Sequence, residues 1–221
     1  RRNRARWRRR RHSDLPAPSR PELAPAARQL PSRRISLLPS LRSHGQTRKS
    51  TIAASALQEA IRANHARVQE RVAAAVARAG RDPAGVTTVA ITKTFDLPVV
   101  EAAHAAGLRD LGENRVQEAQ VKIEAAPADI RWHLVGHLQR NKARAIPLFH
   151  LIQSVDSLRL ARALDRHANP SQPILIQVNL TGNPGQHGVA PAELAELCAA
   201  IAAETSLHLD GLMTIAPFVD E

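Results

Sequence analysis

Lys93 is one of four lysines in a chain that holds twenty-seven arginines, and it closes the apolar run Thr87 to Thr92. A β-branched run of that length reads as a strand. In α/β barrels the C-terminal ends of strands are where active sites are built. Partial desolvation at such a place disfavours an ammonium, and the free amine can then condense with an aldehyde as a Schiff base. Position alone also fits a lysine whose stem packs while its head reaches water.

Other polar side chains gather after the next strand-like runs. Asn114 follows a strand and opens a helix, so its amide could cap that helix or face a pocket. His133, between Trp132 and Leu134, reads as a buried, hydrogen-bonded histidine rather than a catalytic one. His137, Arg140, Lys142 and Arg144 cluster after the third strand; they could attract an anion, and a solvated helix face is the default reading. Glu113 and Glu118 read as acids at a helix start rather than as a catalytic pair.

The elements that must position these groups follow from periodicity. Leu57, Ile61, Val68, Val72 and Val76 share one face of a long helix starting near Thr51, which Gly80 and Pro83 end. Strands are predicted at Thr87–Thr92, around Leu111, and at Arg131–Gly136, His150–Asp156, Pro173–Leu180 and Leu207–Ile215. Helices start at Asp96-Leu97-Pro98, at Glu113-Asn114, after Gly136, at Asp156-Ser157 and at Pro191. The first four strands begin about 20 residues apart, the rhythm of βα units in a parallel sheet. A doubly wound nucleotide binder needs a glycine-rich turn after its first strand, and Thr92-Lys93-Thr94-Phe95 has none. The expected fold is therefore an α/β chain of the (β/α)8 barrel type. Six strands are countable where closure takes eight, so the barrel is expected to be truncated after about the sixth.

Composition narrows the classes further. Among 221 residues there are five aromatics, no tyrosine and one cysteine, Cys198. The core must be aliphatic, an intrachain disulfide and a cysteine-cluster zinc site are both excluded, and a reducing, cytoplasmic setting fits. No metal site is expected. No run of about 18 apolar residues is present to span a membrane. The formal charge of +11 is unevenly placed: residues 1–50 hold fifteen basic residues against two acidic ones, and the remainder is nearly neutral. This Arg- and Pro-rich leader reads as disordered. It is read foremost as a stretch outside the genuine protein, and alternatively as a phosphate-binding arm or a transit peptide. Two parts are therefore expected, a leader over residues 1–50 and an ordered body over 51–221. Nucleic-acid binding has no support apart from the leader.

Six motifs occur in order: VAITKTF (Val89 to Phe95), GENRVQEA (Gly112 to Ala119), WHLVGHLQRNK (Trp132 to Lys142), SVDSLRLA (Ser154 to Ala161), ILIQVNL (Ile174 to Leu180) and DGLMTI (Asp210 to Ile215). Together they resemble the pyridoxal phosphate homeostasis protein family, which is similar in fold to the barrel domain of alanine racemase. The resemblance covers about residues 55–217. It implies that Lys93 holds pyridoxal 5′-phosphate as an internal aldimine, with Asn114 of GEN and Met213 of GLM beside the cofactor. It also implies a function without turnover: buffering a reactive aldehyde and handing it to apo-enzymes. Two departures stand out. Gln186 occupies the place of a lysine common in the loop after the fifth strand. The family's phosphate-binding serine and glycines, and the arginine facing the pyridine nitrogen, belong to strands beyond the sixth.

The rival reading is an amino-acid racemase. Inverting an α-carbon takes an acid–base group on each face of the bound substrate, and barrel racemases use a lysine and a tyrosine. The absence of tyrosine counts against it.

Overall fold

Apolar residues spaced by four and seven set the first element. In the computed structural model of the chain, which describes residues 44–216 and their side chains from Ala54 onward, helix α1 runs His44–Arg78. The leader expected over residues 1–50 lies outside the described residues, apart from 44–50, which open this helix. Of the expected face, Val76 is buried and Ile61 packs on the core, whereas Val68 is exposed. Gln58 Nε2 donates to the Ala105 carbonyl at 3.1 Å, tying α1 to the next helix.

Six strands follow: β1 (Ala90–Ile91), β2 (Asp110–Glu113), β3 (Arg131–Leu134), β4 (Leu151–Val155), β5 (Pro173–Gln177) and β6 (His208–Met213). Every predicted strand is present, shortened at its ends. All pair in parallel, and their spatial order equals their chain order. A sheet ordered this way has no reversal at which a nucleotide fold would open its crevice, so the barrel-type winding stands. Among the described residues β1 and β6 each pair on one side only.

Helices α2 (Leu97–Ala105), α3 (Val116–Ala125), α4 (Leu158–Asp165) and α5 (Leu194–Glu204) cover the outer face. Ser157 caps α4, its Oγ accepting from the Leu160 N–H, as a serine before an apolar-periodic run should. The crossover after β3 is a 3₁₀ segment, Arg140–Leu148, rather than an α-helix. Pro147 lies inside it and has no N–H to offer an α-helical ladder. Leu111, Leu134, Ile152, Ile174 and Ile176 point from the strands into the helix layer, where Val100, Leu164 and Ile201 meet them; all are fully buried. Among the described residues no helix is long and apolar enough to cross a membrane.

Candidate functional site

Alternation along β1 sends neighbouring residues to opposite sides of the sheet. Thr92 turns outward and is buried, while Lys93 turns inward. Thr92 continues the pairing of β1, its N–H donating to the Gly112 carbonyl at 2.9 Å. Its hydroxyl donates to Glu113 Oε1 at 2.7 Å, and Lys122 Nζ donates to the same oxygen at 2.7 Å and to the Thr92 carbonyl at 2.8 Å. A lysine from α3 thus binds the ends of β1 and β2 together directly beneath Lys93. Glu113 is the last residue of β2 and completely buried, which corrects its reading as a helix-start acid. A signal for this pair was present. Val116, Ala119 and Lys122 recur at helical spacing on the buried stripe of α3, and a buried ammonium needs a carboxylate.

The backbone changes direction at Thr94, which has φ 68°, a left-handed conformation costly for a β-branched residue. This turn ends the strand and leaves Lys93 at the rim of a cavity of about 700 Å³. Asn114 after β2 and Met213 at the end of β6 line the same cavity. The three residues singled out from the sequence therefore converge, although they lie up to 120 positions apart in the chain. Lys93 is exposed rather than partly desolvated, and its ammonium has no ion-pair or hydrogen-bond partner among the described residues. Among the described residues it is also the one lysine or arginine in the cavity wall. Asn114 does not cap α3, whose N-cap position is Arg115 without a side-chain bond, so the pocket-facing reading holds. Gly136 makes room for it. A Cβ there would lie 2.7 Å from the Asn114 Cα and 2.9 Å from its carbonyl carbon, so another residue would push the asparagine out of place.

The loop after β5 closes one side of the cavity, and Asn179 organises it. Its Oδ1 accepts from the backbone N–H groups of Thr181 and Gly182, both at 3.1 Å, and its Nδ2 donates to the carbonyls of Asn183 and Gln186 at 2.9 Å. Gly188, at φ 131°, then lets the chain return against Asn179. Gln186 faces the cavity and is tied on both sides, donating to the Ile215 carbonyl and accepting from Thr181 Oγ1. Sequence reasoning passed over Asn179; the turn-forming run Thr-Gly-Asn-Pro-Gly behind it was the available cue.

At the opposite end of the strands Asp110 and Arg131, register partners on β2 and β3, form a two-pronged ion pair with Nε to Oδ1 at 2.7 Å. Buried His133 accepts at Nδ1 from Gln153 and donates from Nε2 to Asp110, both at 3.0 Å, which fixes a neutral tautomer. Burial acts to raise the Asp110 pKa, but Arg131 and His133 outweigh it and hold the carboxylate below its usual range. For His133 burial is the largest influence and pushes its pKa down, against the pull of Asp110. His133 is buried and hydrogen-bonded, as its setting between apolar neighbours predicted.

Residues 58–221 match the family described as alanine racemase, N-terminal domain, so fold and sequence together define a barrel domain of that class. The pyridoxal phosphate homeostasis protein of Pseudomonas aeruginosa is 41% identical over 157 residues, covering 69% of this chain and 68% of the relative. A crystal structure of an unknown protein from Bifidobacterium adolescentis superimposes with a TM-score of 0.69 at 34% identity, covering 75% of this chain and 73% of the other. The structure of PipY from Synechococcus elongatus with PLP bound has a TM-score of 0.56 at 38% identity, covering 69% and 72%. The chain belongs to the pyridoxal phosphate homeostasis protein family.

Proposed function

We propose that the cavity receives pyridoxal 5′-phosphate and that the chain serves intracellular homeostasis of this cofactor, holding it without turnover. The observation that carries this reading is the convergence of Lys93, Asn114 and Met213 on one cavity at the C-terminal ends of the strands, with the Lys93 amine free of any partner among the described residues. Pyridoxal phosphate, when bound, would supply an aldehyde, and Lys93 Nζ would be the amine to hold it. The Glu113–Lys122–Thr92 cluster fixes the strand end that presents this amine. Asn114, anchored against Gly136, offers a polar contact, and Met213 an adaptable apolar surface for a ring. This donor set fits the aldehyde and the ring of the group.

Amides at Asn114, Gln153, Gln177 and Gln186 line the cavity wall beside His137 and His187 and offer polar contacts that do not titrate. The sequence has no tyrosine to serve as a second acid–base group. Apo-enzymes that need the cofactor would be its recipients. A single cysteine fits a cytoplasmic setting.

The test is titration of the purified chain with pyridoxal phosphate, followed by borohydride and peptide mass mapping. One cofactor mass on Lys93, lost in Lys93→Ala, is expected. A label mainly on Lys122 or Lys142 refutes the assignment. Steady interconversion of alanine enantiomers by the loaded chain refutes the absence of turnover.

A further inference from the structure

We propose that His137, Asp156 and His187 form a binding site for a first-row divalent transition cation at the rim of the cavity. The three residues follow β3, β4 and β5, so three successive strand ends converge on one point. One potential ligand atom from each lies within 4.8 Å of the other two. A tetrahedral zinc site, with bonds of about 2.0–2.1 Å, needs its ligand atoms about 3.4 Å apart. Small rotations of three side chains on the rim close that difference.

The present arrangement is a compact set of donors with few other engagements. The two imidazole rings stack with centroids 3.8 Å apart and planes 9° from parallel. His137 Nδ1 stands 3.5 Å from Asp156 Oδ2, and among the described residues Asp156 makes no other ion pair. The surroundings hold these donors in place. Ser157 Oγ donates to Asp156 Oδ1, and Gln177 Nε2 donates to the His187 carbonyl at 2.9 Å, below a loop already built on Asn179. Two imidazoles and one carboxylate suit Zn²⁺, Co²⁺ or Ni²⁺, and are too nitrogen-rich for Mg²⁺ or Ca²⁺. Three protein ligands leave a fourth position facing the cavity, open to water or to an anionic group of a bound molecule. A cation there links the loop after β5 to the end of β3. The site requires no cofactor for its own ligands, and two of them, His137 and His187, also line the cavity of the proposed function.

The experiment uses the full chain, stripped with a chelator and titrated with Zn²⁺ by calorimetry and with Co²⁺ by visible absorbance. One equivalent of each metal is expected, with Co²⁺ giving the intense bands of a tetrahedral site. Loss of a ligand should cost at least the roughly 10–100-fold that loss of an outer partner does. His187→Ala and Asp156→Asn should therefore each weaken Zn²⁺ binding by that much or more, while His167→Ala, on a distant surface, leaves it unchanged. Melting curves without metal should match the parent for these variants, which separates ligand loss from misfolding. Should His137→Ala fail to fold, the other two variants decide the matter. Zn²⁺ binding that survives both His187→Ala and Asp156→Asn, or no stoichiometric binding by the parent, overturns the proposal.

Discussion

Thr92 and Lys93 are adjacent in the chain and face opposite sides of the sheet, the first locked beneath the helices by Glu113 and Lys122, the second free at the cavity rim. The strand end that carries Lys93 is held by the bonds of Thr92 rather than by any bond of the Lys93 side chain among the described residues.

Lys93→Ala should accordingly fold as the parent does. An exposed side chain with no partner contributes within about 0.5 kcal/mol, so thermal melts of the two should nearly coincide. A large drop in stability would mean that Lys93 has a structural partner after all.

Lys122 should behave in the opposite way. Lys122→Met leaves the fully buried Glu113 carboxylate without its cation, at a cost of about 3–5 kcal/mol. Adding Glu113→Gln removes the stranded charge and should recover most of the loss, because the amide oxygen can still accept from Thr92. Urea denaturation of both variants checks this, and equal stability of the single and double variants would contradict it.

Gly136→Ala should lower stability by about 3 kcal/mol, the upper end for overpacking, because the clash is with backbone rather than with a movable side chain. Pyridoxal phosphate titration should also weaken, since Asn114 is what must move. A well-folded variant with parental binding would remove Gly136 from the site.

Acid should act through the far end of the strands. The folded pKa of His133 lies below its unfolded value of about 6.5, so unfolded chains take up that proton first as pH falls. Stability from this group is present above about pH 6.5 and declines below it. Asp110, also depressed, adds a second loss below about pH 3.9 as its carboxylate is protonated. Stability against urea should therefore fall from about pH 7 to pH 5, and this fall should flatten in His133→Gln. An unchanged slope would place the first loss on another group.

Much of the fold was legible because it rests on local pattern. Most of the predicted strands are short β-branched or aliphatic runs recognisable in the chain by themselves, and the Asp156-Ser157 start of α4 carries its own cap. Lys93 was legible for the same reason, since a lysine that ends an apolar run marks itself. Asn114 was placed by sequence but left between cap and pocket, because that choice depends on Gly136, twenty-two positions away.

The sequence alone determined the order of the elements, the barrel-type winding and the place of Lys93 at a strand end, because helix and strand periods, turns and strand-end residues are properties of short segments. Only the tertiary structure decided the role of Glu113, buried beneath Lys93 by a lysine of the next helix. It alone joined His137, Asp156 and His187 from three different loops. Parallel pairing places residues distant in the chain at one end of the sheet, and no local pattern records which side chains will meet there.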